Sequence, residues 1–573
     1  MNPRGVTSLT DIEAIEAEAS FDERLAEHGV WRLFEAAALR HGARPALSFL
    51  PQGRPDEATL NWTYHELVAR ARRFANRLHR LGVSASDGVM LLMSNRPEFY
   101  VAFLGSQAIA VPCPASPLLG ERTLAGLLVA GRCRVLVTEG PTCNAALWQR
   151  ACAAAALSDR PLQLLAIGGS SGGGGPGMPA QVTVHDFDAT CAMERDDALD
   201  FEAVNALDAP AARFHTGGTT GAPKLATHSQ RNHLHAAWTM ARLVGYDEHD
   251  VVLVGLPLFH VHAALPLGLA PLACGAHLVL LGPQGFRHAE VVQGFWRIVE
   301  RFRATVFSGV PTVYVALLAV DPAGARIDSL RVALCGSAPL ALQTARDFES
   351  RCGIVILEGY GLTEATCVST LNPLRGDRRA GSIGLRLPYQ AMKVARLDAA
   401  GRWLADCASD EAGTLLVRGA NVFAGYVDPV HDAEAFAAPG WLNTGDVGVC
   451  DADGYFRITG RSKDLIKRNG HSVDPKGAEE ALHAHPAVAL AAVVARPDAR
   501  AGEMPVAFVT LKPGTVVDAG VLLDHCRARS LDPIAMPATL TVLAAMPVTP
   551  VGKLDKVRLR EMAATSTTTG ETT

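Results

Sequence analysis

Several features that would send a chain to a membrane, out of the cell or onto nucleic acid are missing. The first residues, MNPRGVTSLTDIEAIEAEASFDERLAEHG, are acidic and hold no apolar core of the signal-peptide kind, so no secretory signal is expected. Twelve cysteines are scattered with no C-x-x-C pair. That excludes the common zinc and dithiol frameworks and points to reduced thiols, with the cytoplasm as the expected location. Basic blocks are absent and the formal net charge is -5, which argues against nucleic acid as the main partner. No long apolar run goes uninterrupted. The most apolar stretch, VVLVGLPLFHVHAALPLGLAPLACGAHLVLLG, contains three prolines, four glycines and three histidines. Such a stretch suits strand, loop, helix and strand in a buried core, and no transmembrane segment is expected.

What is present is a soluble, core-forming composition: 49% hydrophobic and 19% charged residues over 573 positions, enough for several subdomains. In TYHELVARARRFANRLHRLGV, Thr63 and Glu66 fit a capping box, and Leu67, Ala71, Phe74, Leu78 and Leu81 share one helical face. Gly82 then stops the helix, and Val89 to Met93 reads as a buried strand. Helices alternate with short apolar strands at CRVLVTE, LQLLAIG, DVVLVGL, HLVLLG, ATVFSG, RVALCG and IVILEG. This alternation predicts α/β layers with largely parallel, buried sheets. From about Gly413 short strands and turns take over, and after Arg461 a smaller α/β unit begins, with a helix near PKGAEEALHAH. IGGSSGGGGPGMP (Ile167 to Pro179) reads as a flexible surface insertion.

RFHTGGTTGAPKLATHSQRN, from Arg213 to Asn232, looks built to hold phosphate. Glycines let backbone N–H groups approach an anion, threonines add donors and a lysine adds charge. A Walker A loop requires Gly-Lys followed by Ser or Thr; here Pro223 precedes Lys224 and Leu225 follows it. Further on, one strand runs into Gly336, Ser337, Ala338 and Pro339. Another runs into Glu358, Gly359, Tyr360, Gly361, Leu362, Thr363 and Glu364. Ligands of open α/β sheets bind beyond the carboxyl ends of strands. Small residues there leave room for a flat base on which Tyr360 can stack. Taken alone, either segment reads rather as a tight strand–helix turn.

TGGTTGAPK, GSAPL, YGLTE, TGDVG, GRSKDLIKRNG and Gly552–Lys553 occur in this order. Over roughly Trp31 to Arg560 the chain thereby resembles the adenylate-forming (AMP-binding) superfamily, of the acyl-CoA synthetase type. The resemblance implies an α/β fold: a large N-terminal domain (1–460) of layered parallel sheets with helices and a small β-barrel-like subdomain. A small mobile C-terminal α+β lid (461–573) would follow, its tail disordered after about 561. It implies ATP, Mg2+ and coenzyme A as co-substrate: a carboxylate attacks the α-phosphate, then a thiol takes the acyl group.

By resemblance, Thr216, Gly217, Gly218, Thr219, Thr220, Gly221 and Lys224 hold the β- and γ-phosphates. Glu364 is the expected magnesium ligand, and Thr363 helps hold the α-phosphate. Asp446 would accept from the ribose hydroxyls, beside Arg461. Lys553 is the expected cation for the charge developing at the α-phosphorus, presented when the lid closes, with Lys556 as the trailing basic position. Ser462 or Lys463 would be the hinge, and Lys467 and Gly470 would line the thiol tunnel. One departure stands out: the family's P-x-E-[IV]-E reads PKGAEE here, with Gly477 for the first glutamate and Glu479 for the second. A glycine there weakens the helix start by roughly 1 kcal/mol.

His260, in PLFHVHA, matches a position beside the acyl carboxylate; a backbone-bonded core histidine is the plain alternative. The acyl pocket is expected between Phe307–Tyr314, Cys335–Ala338 and the start of YGLTEATCV. These segments are apolar and small, so a hydrophobic monocarboxylic acid is the expected small-molecule partner. No carrier-domain serine follows Lys553, which favours free coenzyme A over a fused carrier. A separate acyl carrier protein as acceptor, or a non-catalytic nucleotide-binding scaffold, are the alternatives.

Overall fold

The computed structural model describes residues 5–158, 160–169, 179–216, 223–322, 324–461, 464–469, 471–498, 500–529 and 533–565. Among these, two largely parallel sheets carry the large N-terminal part. The first orders Val111–Ala115, Gly88–Leu92, Cys133–Glu139, Leu162–Ile167 and Val182–Asp186, all parallel. The second has nine strands. Its parallel centre orders Ile356–Tyr360, Val332–Cys335, Val306–Gly309, Val251–Val254, His277–Leu280 and Pro45–Phe49. Antiparallel strands close both edges.

Near-continuous apolar sequence suits strands covered on both faces, and Val332–Cys335 is buried at every position. The helix Tyr64–Arg80 carries the expected capping box and buries Leu67, Ala71, Phe74 and Leu78 between the sheets. The long apolar stretch folds as the strand Val251–Val254, short helical turns from Val261 to Ala273, and the strand His277–Leu280. Among the described residues no helix is long and apolar enough to cross a membrane.

A six-stranded antiparallel sheet follows, built from Gln390–Leu397, Trp403–Asp406, Gly413–Gly419, Phe436–Ala438, Trp441–Cys450 and Phe456–Arg461. It starts at Gln390, ahead of the expected switch near Gly413, because Gln390–Leu397 pairs residue for residue with Gly413–Gly419. Arg461 is the last residue of its strand, so the division expected at 460/461 falls inside this sheet.

The C-terminal unit has its own sheet and core, in which Ile466, Ala478, Leu482, Val493, Val509 and Leu522 are buried together. Its helix Lys476–His483 forms despite Gly477, whose missing Cβ faces open space. The final helix runs Lys556–Thr565, past the point near 561 where disorder was expected, because Leu559 and Ala563 pack on strand residues Val494 and Phe508.

Candidate active site

The strands Pro210–Thr216 and Lys224–Ser229 pair antiparallel and set Thr216 opposite Lys224. Gly217, Gly218, Thr219, Thr220 and Gly221, which form the loop between them, lie outside the described residues. The Lys224 ammonium stands 5.3 Å from the ring centre of Tyr426. Tyr426 lies on a strand that pairs with the Lys224 strand, and its hydroxyl donates to Glu364 Oε1 at 2.5 Å. Burial, then the adjoining Glu364 carboxylate, push its phenol well above the usual range. Lysine, tyrosine and glutamate thus stand in one row.

Glu364 sits on the single helical turn Thr363–Ala365, pinned where the Phe423 amide donates to the Glu364 carbonyl at 2.9 Å. The turn requires Gly361: a Cβ there would lie 1.5 Å from the Cys367 carbonyl oxygen. No cluster of three His, Cys, Asp or Glu side chains suited to a metal occurs among the described residues. A carboxylate without a second metal-binding group beside it among the described residues fits magnesium that arrives with substrate phosphates, and does not fit an ion caged by protein alone.

At the far end of the crevice Asp446 is 1% exposed. Its Oδ2 accepts from the Tyr360 hydroxyl at 2.6 Å, and its Oδ1 accepts from Arg461 Nε at 2.6 Å. Asp446 and Arg461 are direct cross-strand partners. Tyr360, expected as a stacking ring, is therefore fixed by its hydroxyl and packs against Ile383, Val394 and Phe456. Gly336, Ser337, Ala338 and Pro339 form the turn after Val332–Cys335, with Ser337 at a φ of 72°. The Leu340 amide donates to Glu358 Oε1 at 3.1 Å. Burial nevertheless pushes Glu358 up to about 7. Gly359 lies close to Gly336: a Cβ on Gly336 would be 3.3 Å from the Gly359 carbonyl oxygen.

Lys553 reaches this crevice from the C-terminal unit. Its loop is a tight hairpin: the Thr549 amide donates to the Lys553 carbonyl at 2.7 Å, and the Lys553 amide donates to Thr549 Oγ1 at 3.2 Å. Gly552 adopts a φ of 84°, which glycine permits, and its carbonyl accepts from Thr312 Oγ1 at 2.8 Å. Burial, then the nearby Arg461 guanidinium, lower the Lys553 ammonium to about 8, while Asp446, Cys367 and Glu364 oppose that shift. No carboxylate lies within ion-pair distance of it among the described residues.

Two histidines face the same ammonium. His260 Nδ1 accepts from the His262 amide at 3.3 Å, which leaves the proton of a neutral ring on Nε2. Ser308 Oγ donates to the Leu334 carbonyl at 2.9 Å and lies 3.0 Å from His262 Nε2, so that ring also carries its proton on Nε2. Burial and then Lys553 hold both rings neutral, His262 near about 4 and His260 well below its usual value.

Lys556 is committed elsewhere, paired with Glu479 at 2.8 Å inside the C-terminal unit. Lys467 lies on the strand Ile466–Arg468, its amide donating to Glu503 Oε2 at 2.6 Å. Ser462, Lys463 and Gly470 lie outside the described residues. The sequence reading missed Tyr426, and it placed Thr312 only in the expected acyl-pocket wall, not at the Lys553 loop. Each meets its partner across a long stretch of chain, and neither stands in a motif of its own.

The "AMP-binding enzyme" family profile matches residues 34–427, and the "AMP-binding enzyme C-terminal domain" profile matches residues 478–553. A marinolic acid–CoA ligase of Pseudoalteromonas sp. is 37% identical over 565 residues, 98% of this chain and 85% of that protein. A long-chain-fatty-acid–CoA ligase of Bacillus subtilis is 29% identical over 88% of this chain and 92% of its own. Among solved structures, the anthranilate CoA ligase AuaEII in complex with anthranoyl-AMP superposes with a TM-score of 0.81 at 25% identity. That match covers 94% of this chain and 98% of the other. The chain belongs to the AMP-binding enzymes, the adenylate-forming superfamily, and is of its acyl-CoA synthetase type.

Proposed function

We propose that the protein activates a hydrophobic monocarboxylic acid, fatty or aryl, as its acyl-adenylate and passes the acyl group to coenzyme A. The observation that carries this reading is that Lys553, brought by the C-terminal unit, stands near Arg461, Asp446 and Glu364, while Tyr426 joins Lys224 to Glu364. Lys224, with Thr216 and the loop 217–221, cradles the β- and γ-phosphates of ATP. Asp446, braced by Tyr360 and Arg461, accepts from the ribose hydroxyls, and the Gly336–Pro339 and Glu358–Gly361 turns flank the base. Glu364 would hold the magnesium that enters with ATP, an ion that neutralises phosphate charge when bound.

The acid, oriented beside His260, adds through a carboxylate oxygen to the α-phosphorus. The bond from that phosphorus to the bridging oxygen of pyrophosphate breaks, and the ammonium of Lys553, with the Thr363 hydroxyl, stabilises the charge that gathers there. In the second half-reaction the C-terminal unit, joined at Ser462–Lys463, turns to admit the thiol of coenzyme A past Lys467 and Gly470. The thiol sulfur, its proton passing to solvent, bonds to the acyl carbon, and AMP leaves with the electron pair of the cleaved mixed anhydride. Fatty and aryl acids are favoured because the segments around His260, His262 and Gly309 are apolar and small, and because relatives named for such acids share the fold. The cytoplasm is the expected compartment.

A panel of acids from acetate through C16 acids to benzoate and cinnamate, scored for pyrophosphate, AMP and thioester, tests the reading. A fatty or aryl acid yielding all three products is expected. Acyl transfer to an acyl carrier protein with none to free coenzyme A would overturn the choice of acceptor.

A further inference from the structure

Beneath the Thr363–Glu364 turn runs a line of buried polar side chains that the chemistry above does not use. His228 Nε2 lies 2.7 Å from the Thr363 carbonyl oxygen. His228 Nδ1 lies 3.2 Å from His233 Nε2, and His233 Nδ1 lies 2.8 Å from Gln107 Nε2. The same amide nitrogen of Gln107 donates to the Ala211 carbonyl at 3.0 Å. Gln107, His228 and His233 are each 0% exposed.

The proton positions follow from the partners. A carbonyl oxygen only accepts, so His228 carries its proton on Nε2. In a neutral ring Nδ1 is then an acceptor, so His233 must donate from Nε2. The His233 Nδ1 in turn accepts from Gln107. Every donor along the line points toward Thr363. Burial keeps both rings uncharged, holding His228 at about 4 and His233 well below its usual value. Phe214 packs against the His228 ring at 5.2 Å, and Phe103 stacks on His233 at 6.1 Å, so neither imidazole is free to turn.

We propose that Gln107, His233 and His228 are positioning residues, a one-way hydrogen-bonded relay that holds the Thr363–Glu364 turn in register with the strand bearing Lys224. His228 stands on that strand, Lys224–Ser229, so one side chain joins the cation for the outer phosphates to the turn carrying the metal-binding carboxylate. Burying three polar side chains costs free energy that apolar residues would not, so stability alone does not explain them. Adenylation needs both groups fixed on one triphosphate, and a 1 Å misplacement costs about 100-fold in rate. The role rests on the function proposed above, and on the adenylation half of it alone.

The test separates the two half-reactions. Pyrophosphate exchange with the best acid of the panel reports adenylation. Thioester formation from the chemically synthesised adenylate of that acid reports transfer without Thr363 or Glu364 chemistry. His228→Ala is expected to lower exchange about 100-fold and to raise the magnesium needed for half-maximal rate. It should leave transfer from supplied adenylate within about twofold of wild type. His228→Gln, whose amide N–H still reaches toward Thr363, should recover part of the exchange rate.

Equal losses in both half-reactions, or undiminished exchange in His228→Ala, would overturn the relay. If His228→Ala does not fold, Gln107→Met at the far end decides by the same comparison: a smaller loss confined to exchange supports the relay, and any other pattern overturns it. Wild-type exchange without any coenzyme A thioester would refute coenzyme A as the acceptor. The relay is then read from exchange alone, where a loss in His228→Ala with a raised magnesium requirement and partial recovery in His228→Gln supports it and any other pattern overturns it.

Discussion

At the scale of single residues, Lys553, the cation proposed for adenylation, is partly buried beside the Arg461 guanidinium. Burial lowers Lys553 from 10.5 to about 8, so the ammonium persists below that pH and is lost as pH rises through it. Because kcat/KM reports the free enzyme, its value for ATP in pyrophosphate exchange is expected to fall above about pH 8, tenfold per unit. Lys553→Arg, which stays protonated, should be slower throughout but lack that alkaline limb. A wild-type profile flat to about pH 9.5 would contradict the assignment.

Tyr426 supports a second expectation. Removing its hydroxyl in Tyr426→Phe takes one charge-assisted hydrogen bond from Glu364, worth about 1.5–3 kcal/mol, while the ring under Lys224 remains. Exchange should slow at least about tenfold and the half-maximal magnesium concentration should change. An unaltered magnesium dependence would count against Glu364 as the ligand. Lys224, Glu364, Asp446 and Lys553 were legible because each sits in a short motif. Tyr426, and the contact of Thr312 with Gly552, were not, because the partners stand far away along the chain.

At the scale of elements, local pattern and structure agree closely. The strands Cys133–Glu139 and Gly413–Gly419 span the residues picked out by their apolar runs, and the helix Tyr64–Arg80 begins at its capping box. Agreement fails where pairing decides. Gln390–Leu397 has a mixed sequence and becomes a strand because two neighbours hydrogen-bond to it.

Gly477 is the place where local propensity was overruled at a cost. Its helix forms because Ala478, Ala481 and Leu482 are buried in the core of the C-terminal unit, and nothing lies within 4 Å of the missing Cβ. Gly477→Ala should therefore raise stability by roughly 0.5–1 kcal/mol, read as a higher melting temperature with exchange unchanged. A lower melting temperature would show that this position needs glycine.

At the scale of the whole molecule, the Lys553 loop is docked on the large domain, the arrangement that the proposed adenylation step would use. Among the described residues, polar contacts between the C-terminal unit and the large domain include Thr312 Oγ1 to the Gly552 carbonyl at 2.8 Å, Lys476 Nζ to the Ile458 carbonyl at 2.5 Å, and Lys512 to Asp347 at 3.5 Å. The last is partly exposed and contributes little. Thr312→Val keeps the shape and removes the first contact, which should slow pyrophosphate exchange about fivefold to tenfold, the value of one hydrogen bond. Thioester formation from supplied adenylate should stay level or rise, since docking of this loop no longer competes with the rotated state. Equal slowing of both steps would remove Thr312 from any role in docking.

By itself the sequence determined the alternation of buried strands and helices, the order of the phosphate, ribose and lysine motifs, and the class of chemistry they serve. All of these reside in residues close together in the chain, where periodicity and motif spacing act. Only the tertiary structure decided that Tyr426 braces Glu364, that Thr312 seats the lysine loop, and that two neutral histidines link Gln107 to Thr363. Those are contacts between distant segments, and in a close-packed interior their geometry is set by how sheets and lobes dock, which no local pattern encodes.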